Sequence, residues 1–203
     1  MFEIVKQLPN LSNNLYHSVG TEIMKGVYKH SVNRAKIPLE PNDALTFGTQ
    51  FHDICELGTK EFNKMYSVIP DDCSNKRTKL YKEFIKDNPN ALTKGDSVRL
   101  SRMYDNLNSN EFYRSLEDNY DAKRDGLDFR IRPDKHYSHN GEILHVVDFK
   151  TTGDCSTFRF DIIKYGYDLQ AVFYADVLGI NPADFYFIAI EKTYPYTCQV
   201  FGL

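Results

Sequence analysis

The stretch Arg132-Pro133-Asp134-Lys-His-Tyr-Ser-His-Asn140-Gly141-Glu-Ile-Leu-His-Val-Val-Asp148-Phe149-Lys150-Thr-Thr decides how this chain is read. An Asn-Gly pair between two extended runs signals a tight hairpin, because both turn positions take positive φ. The pattern predicts strands over about 127–136 and 143–150, with the turn returning Asp134 toward Asp148. Strand side chains alternate faces, so Asp148 and Lys150 share one face and Phe149 takes the other. Two carboxylates and an ammonium at one place repel or neutralise each other unless something lies between them. A divalent cation and a phosphate have the right signs. A surface ion pair beside a Pro-Asp turn would leave the same letters, so the neighbouring segments have to decide.

Downstream, Phe158 to Leu178 has helical periodicity, with Ile162, Ile163, Leu169, Phe173 and Val177 as its apolar stripe. Gln170 and Tyr174 lie four apart and so stack on one face. Upstream, Thr46-Phe-Gly48-Thr-Gln-Phe-His52 falls in another predicted helix, and Glu56 follows His52 by one turn on the same side. The ordered string of Gly48…His52, Pro133-Asp134, Asp148-Phe149-Lys150 and Gln170-x-x-x-Tyr174 resembles the PD-(D/E)xK nuclease superfamily. Within it, the string is similar to the RecB-like and exodeoxyribonuclease VIII (RecE)-like branch. The resemblance spans about residues 8 to 192 and rests on three ordered motifs, where Asp-x-Lys alone would be weak.

That resemblance implies an α/β fold of one domain, a restriction-endonuclease-like mixed sheet flanked by helices. It implies that Asp134, Asp148 and the backbone carbonyl of Phe149 hold Mg²⁺ or Mn²⁺. His52 would complete the shell, and Glu56 would reach the same ion directly or through water. Lys150 would orient the attacking water or neutralise the phosphoryl oxygens, while Gln170 and Tyr174 position the phosphate or Lys150. Glu56, Glu117 and Asp118 are all candidates for a further acid, which leaves one-metal and two-metal chemistry both open. The implied activity is 5′-to-3′ resection of linear double-stranded DNA in phage-type recombination, beside a single-strand annealing protein and in a host cytoplasm. Ring-forming relatives imply a homo-oligomer, trimer or tetramer. Two alternatives stand beside this reading. One is an endonuclease or defence-system nuclease of the same fold. The other is a non-catalytic DNA-binding module, against which the intact Asp, Asp, Lys, Gln and Tyr set argues. Removing one carboxylate, as in Asp148→Asn, is expected to relieve repulsion and raise stability without metal.

Composition sets outer bounds. With 203 residues, 41% hydrophobic and 26% charged, the chain can bury one ordinary core. No run of about eighteen apolar residues is present, so no membrane span is expected. The opening Met-Phe-Glu-Ile-Val-Lys lacks a charged-then-apolar export pattern. Cys55, Cys73, Cys155 and Cys198 never form Cys-x-x-Cys, which gives little support to a zinc or iron–sulfur site and suits four free thiols in a reducing cytoplasm.

A net charge of −3 is mildly against nucleic-acid binding. The positive charge is clustered, however. Lys76, Arg77 and Lys79 form one group, and Arg99 with Arg102 another. Lys123-Arg124 leads into Arg130 and Arg132, which are expected on the strand face of Asp134. Each cluster suits a phosphate backbone, and each would equally serve as an ordinary solvated face.

The remaining order reads coarsely. Residues 11–33 carry a helical stripe (Leu15, Val19, Ile23, Met24, Val27) with Ser12 as cap. Helices are expected over 77–87 and 95–117, and further strands at Phe185–Glu191 and Thr197–Phe201. A helical part to about residue 118 thus feeds a sheet and helix from about 119, in one domain.

Overall fold

A computed structural model describes residues 42–118, 122–123 and 130–203. The helix expected over 11–33 lies outside them. Helix α1 (Asp43–Met65) starts at Asn42, whose side chain accepts the Leu45 N–H at 2.9 Å, and it is kinked at Gly58. Phe47, Phe51, Ile54 and Cys55 form its buried stripe, the spacing of one helix face. A short parallel pair, β1 (Ser67–Val68) and β2 (Ala91–Leu92), brackets α2 (Lys79–Asp87), which Thr78 caps.

The helix expected over 95–117 is two helices. α3 (Lys94–Ser109) begins at Thr93, which accepts from the Asp96 N–H and donates to its carboxylate. It ends at Asn110, whose side chain accepts the Tyr113 N–H and so starts α4 (Glu111–Arg114). A side chain that caps a new helix offers the backbone an exit from the old one.

The sheet follows. β3 is Glu117–Asp118, β4 Ala122–Lys123, β5 Arg130–Ile131, β6 Lys135–His139 and β7 Glu142–Thr152. β8 (Phe185–Glu191) and β9 (Cys198–Gly202) complete a five-stranded sheet in the order β3-β6-β7-β8-β9. β7 and β8 are parallel and the other neighbours antiparallel. The β6–β7 turn is the expected one, with Asn140 at φ 54 and Gly141 at φ 81.

The strand expected over 127–136 is interrupted. β5 pairs with β4 apart from the main sheet, and pairing resumes only at Lys135. Pro133, which has no N–H to give a ladder, sits in the gap. Arg132 is therefore outside any strand and does not share a strand face with Asp134.

The crossover from β7 to β8 is also divided, into α5 (Phe158–Lys164) and α6 (Tyr167–Leu178). Gly166 stands between them at φ 67, a conformation that side chains resist. Leu169 and Val177 still belong to the α6 pattern, but Ile163 ends on the exposed side of α5.

Strand β7 runs between two cores. Val147 and Phe149 pack with Phe51, Leu100, Met103 and Leu107 of α1 and α3. Val146 packs on the other side with Phe158, Ile162, Phe173 and Phe187. The result is a mixed α/β single domain with helices on both faces of the sheet. Among the described residues no helix is long and apolar enough to cross a membrane, and all four cysteines are free.

Phe51 is fully buried between α1 and the sheet, so Phe51→Ala is expected to lower the unfolding free energy by about 3–5 kcal/mol. Urea denaturation measures it, and a loss under about 1 kcal/mol would contradict this packing.

Candidate functional site at the open edge of β7

Beyond Val147, which faces Lys135, β7 has no further partner on the β6 side among the described residues. The Asp134 carboxylate takes the place of the missing strand and accepts the Phe149 N–H at 2.6 Å through Oδ2. A strand residue directs its N–H and C=O to the same side, so the Phe149 carbonyl faces that same open edge. The other oxygen of Asp134 lies 2.7 Å from His52 Nδ1 on α1. His52 reaches the edge because Phe51 and Cys55 anchor α1 on the sheet. Its ring lies 6.1 Å from the Phe149 ring.

Burial lowers the His52 pKa, but the charge and hydrogen bond of Asp134, with Asp148 adding to them, outweigh it and hold the group above the ordinary histidine value. The Asp134 carboxylate thus favours the protonated ring relative to a free histidine, and as an acceptor opposite Nδ1 it makes that nitrogen the donor of the pair.

The second half of the site lies on the other face of β7. Lys150 hydrogen-bonds to Asp148 Oδ2 and donates to Gln170 Oε1 at 3.1 Å, and Gln170 Nε2 donates to Asp148 Oδ1 at 3.1 Å. The three groups close a ring of contacts, with side chains of Asp148 and Lys150 only 7% and 13% exposed. Burial works against the charged lysine, yet Asp148 more than offsets it and the Lys150 pKa is raised.

Tyr174, one turn beyond Gln170, is buried beneath it. Burial drives its hydroxyl well above the usual tyrosine range and Asp148 adds to this, against hydrogen bonding from Gln170 and the Arg132 backbone. One tyrosine thereby ties the α6 motif to the chain just ahead of Asp134.

The structure thus brings together His52, Asp134, Asp148, Phe149, Lys150, Gln170 and Tyr174. A pocket of about 250 Å³ opens at the edge, lined by His52, Cys55, Glu56, Asp118, Asp134, Lys135 and Phe149. Glu56 lines it but is engaged by Arg132 at 2.5 Å. Asp118 lines it and holds Lys135 at 2.6 Å. Glu117 instead accepts from the Ser138 N–H and hydroxyl, which hold its pKa down.

Of the basic residues, Lys76 and Arg77 lie exposed before α2 and Lys79 pairs with Glu83 at 3.5 Å. None of the three lines the pocket. Arg132 stands beside it through Glu56, and the Arg130 side chain lies outside what is described.

Two participants were not singled out from sequence. Tyr167 places its ring 4.6 Å from Lys150 Nζ, and its position one turn before Gln170 was the available signal. Cys55 is in the pocket wall as the neighbour of His52 one turn on, and nothing in its letters distinguishes it from a core cysteine.

The donors suit a hard divalent cation in kind: two carboxylates, a backbone carbonyl and an imidazole. Among the described residues no three His, Cys, Asp or Glu groups already converge on one point. Each carboxylate is instead engaged by two neighbours, Asp134 by the His52 ring and the Phe149 N–H and Asp148 by the Lys150 ammonium and the Gln170 amide.

This pairing reverses the sign expected for Asp148→Asn. The substitution would leave the Lys150 ammonium buried without its counter-charge, which outweighs any relief of repulsion. Asp148→Asn is expected to lower stability by about 3 kcal/mol in metal-free buffer at neutral pH. A raised urea midpoint would show that repulsion dominates.

The comparisons with known proteins agree with this geometry. No curated protein matches the chain. A solved structure, that of a protein named "Putative exonuclease" from Eubacterium rectale, superposes with a TM-score of 0.53 at 14% identity. It covers 96% of this chain and 78% of its own, a likeness of fold. A family model described as a PDDEXK-like domain of unknown function (DUF3799) matches residues 24–203, so the chain belongs to that family and to the PD-(D/E)xK nuclease superfamily.

Proposed function

We propose that this protein is a divalent-metal-dependent deoxyribonuclease that hydrolyses phosphodiester bonds of linear double-stranded DNA from an end, with 5′-to-3′ polarity. The observation that supports it most is the open edge of β7. There Asp134 joins His52 to the Phe149 N–H, and Asp148, Lys150 and Gln170 interlock alongside.

Asp134, Asp148 and the Phe149 carbonyl would hold Mg²⁺ or Mn²⁺, with His52 as a further ligand. Such an ion acidifies a water and stabilises charge on the phosphoryl group. The rest falls to the chain itself. Lys150, beside Asp148 on the other face of β7, would orient the attacking water or neutralise a phosphoryl oxygen. Gln170 fixes both Lys150 and Asp148, and Tyr174 supports Gln170 from below. Glu56 is held by Arg132 and would join only if that pair opens, so its part as a ligand is secondary.

The finer setting is also proposed: a homo-oligomer, trimer or tetramer, acting beside a single-strand annealing protein. A mildly acidic monomer holds phosphates weakly, and a ring around the DNA would replace affinity with topology.

End-labelled linear duplex and covalently closed circles, each with Mg²⁺ or Mn²⁺ and with chelator, test the reading. Linear DNA should be shortened from 5′ ends only with metal, and circles should survive. Lys150→Ala should lower the rate by several orders of magnitude. His52→Ala should raise the Mn²⁺ concentration for half-maximal activity. Cutting of closed circles would replace the exonuclease with an endonuclease, and metal binding without any cleavage would leave a DNA-binding module.

A further inference from the structure

Helix α5 is apolar on both sides. Phe158 and Ile162 are buried in the core, yet Phe160 is 76% and Ile163 70% exposed. Tyr165, just past the helix end, is 54% exposed. Residues at 160 and 163 share a helix face and form an apolar patch, and Lys164, one turn beyond Phe160, connects it to Tyr165 past the helix end. Arg159 and Lys164 flank it, both exposed, and Lys164 Nζ lies 5.0 Å over the Tyr165 ring. Asp161, the acid of this helix, turns toward Thr152 at 3.4 Å.

The patch is continuous with the site. The Tyr165 ring is 5.7 Å from the Tyr167 ring, and that ring lies 4.6 Å from Lys150 Nζ. Two aromatic steps therefore lead from exposed surface to the lysine on β7. Aromatic faces bordered by cations match one chemistry, unpaired bases on a phosphate backbone. A paired duplex keeps its base faces stacked and offers only phosphates.

We infer that the exposed apolar side chains Phe160 and Ile163 of α5, with Tyr165 at its end, are a docking surface for unpaired nucleotides of the DNA strand led to Lys150, with bases on the rings and phosphates on Arg159 and Lys164. This rests on the nuclease reading and adds a preference for single-stranded segments at the site.

The test compares wild type with Phe160→Ala/Tyr165→Ala and with Arg159→Glu/Lys164→Glu. The probe is a short fluorescein-labelled oligo(dT), whose affinity is read by anisotropy in chelator so that nothing is cut. Phe160→Ala/Tyr165→Ala should weaken binding roughly tenfold. Arg159→Glu/Lys164→Glu disturbs no buried contact. It should weaken binding as well and flatten its salt dependence.

In Mn²⁺, oligo(dT) cleavage by Phe160→Ala/Tyr165→Ala should lose in KM, while hydrolysis of bis(p-nitrophenyl) phosphate, which has no base, stays at the wild-type rate. Equal oligo(dT) affinity in all three proteins overturns the inference. Equal affinity with a variant that sediments as a smaller species assigns the patch to contact between copies, and also overturns it. Wild type that binds oligo(dT) in this way but cuts no DNA overturns the nuclease reading and leaves the docking surface standing.

Discussion

The hydrogen bond from the Phe149 N–H to the Asp134 carboxylate is the constraint on which the rest of the site depends. A backbone donor inside a sheet must find an acceptor, and here the neighbouring strand has ended. Pro133 cannot extend β6 backwards, so the chain bends and presents a side-chain oxygen where a carbonyl would have been. The same carboxylate then meets His52 from α1. One break in a strand therefore fixes an acid, an imidazole and a backbone carbonyl at a single edge, with a pocket beside them.

The opposite face of β7 is built on a different principle. Asp148, Lys150 and Gln170 satisfy one another in a nearly dry setting, and such a network stands or falls as a unit. Its charges add little to stability compared with an apolar core of the same volume, because desolvation offsets their attraction. Tyr174 lies buried beneath the network and the Tyr167 ring packs beside Lys150.

Much of this was legible in the sequence because local rules carried it. Asn140–Gly141 set the hairpin, the four-residue spacing set Gln170 over Tyr174, and the motif order set His52 near Asp134. The unread parts depended on tertiary partners. Pro133 was visible, but the consequence that Asp134 would replace a strand needed the end of β6. Gly166 and Asn110 each divided an expected helix, one through positive φ and one through a cap that begins the next helix. The sequence places Arg132 on the strand face of Asp134, whereas it lies outside any strand and pairs with Glu56 across 76 residues of chain. The burial of the Asp148–Lys150 pair, which makes each charge depend on the other, is not reported by two letters in a strand.

The most direct test of a metal centre at the β7 edge is anomalous diffraction at the manganese edge from a crystal of the protein soaked in Mn²⁺. The expected result is a peak within bonding distance, about 2.0–2.4 Å, of carboxylate oxygens of Asp134 and Asp148 and of the Phe149 carbonyl oxygen. A saturating soak that leaves this edge without a peak, or that places manganese only at surface carboxylates such as Glu117, would contradict it.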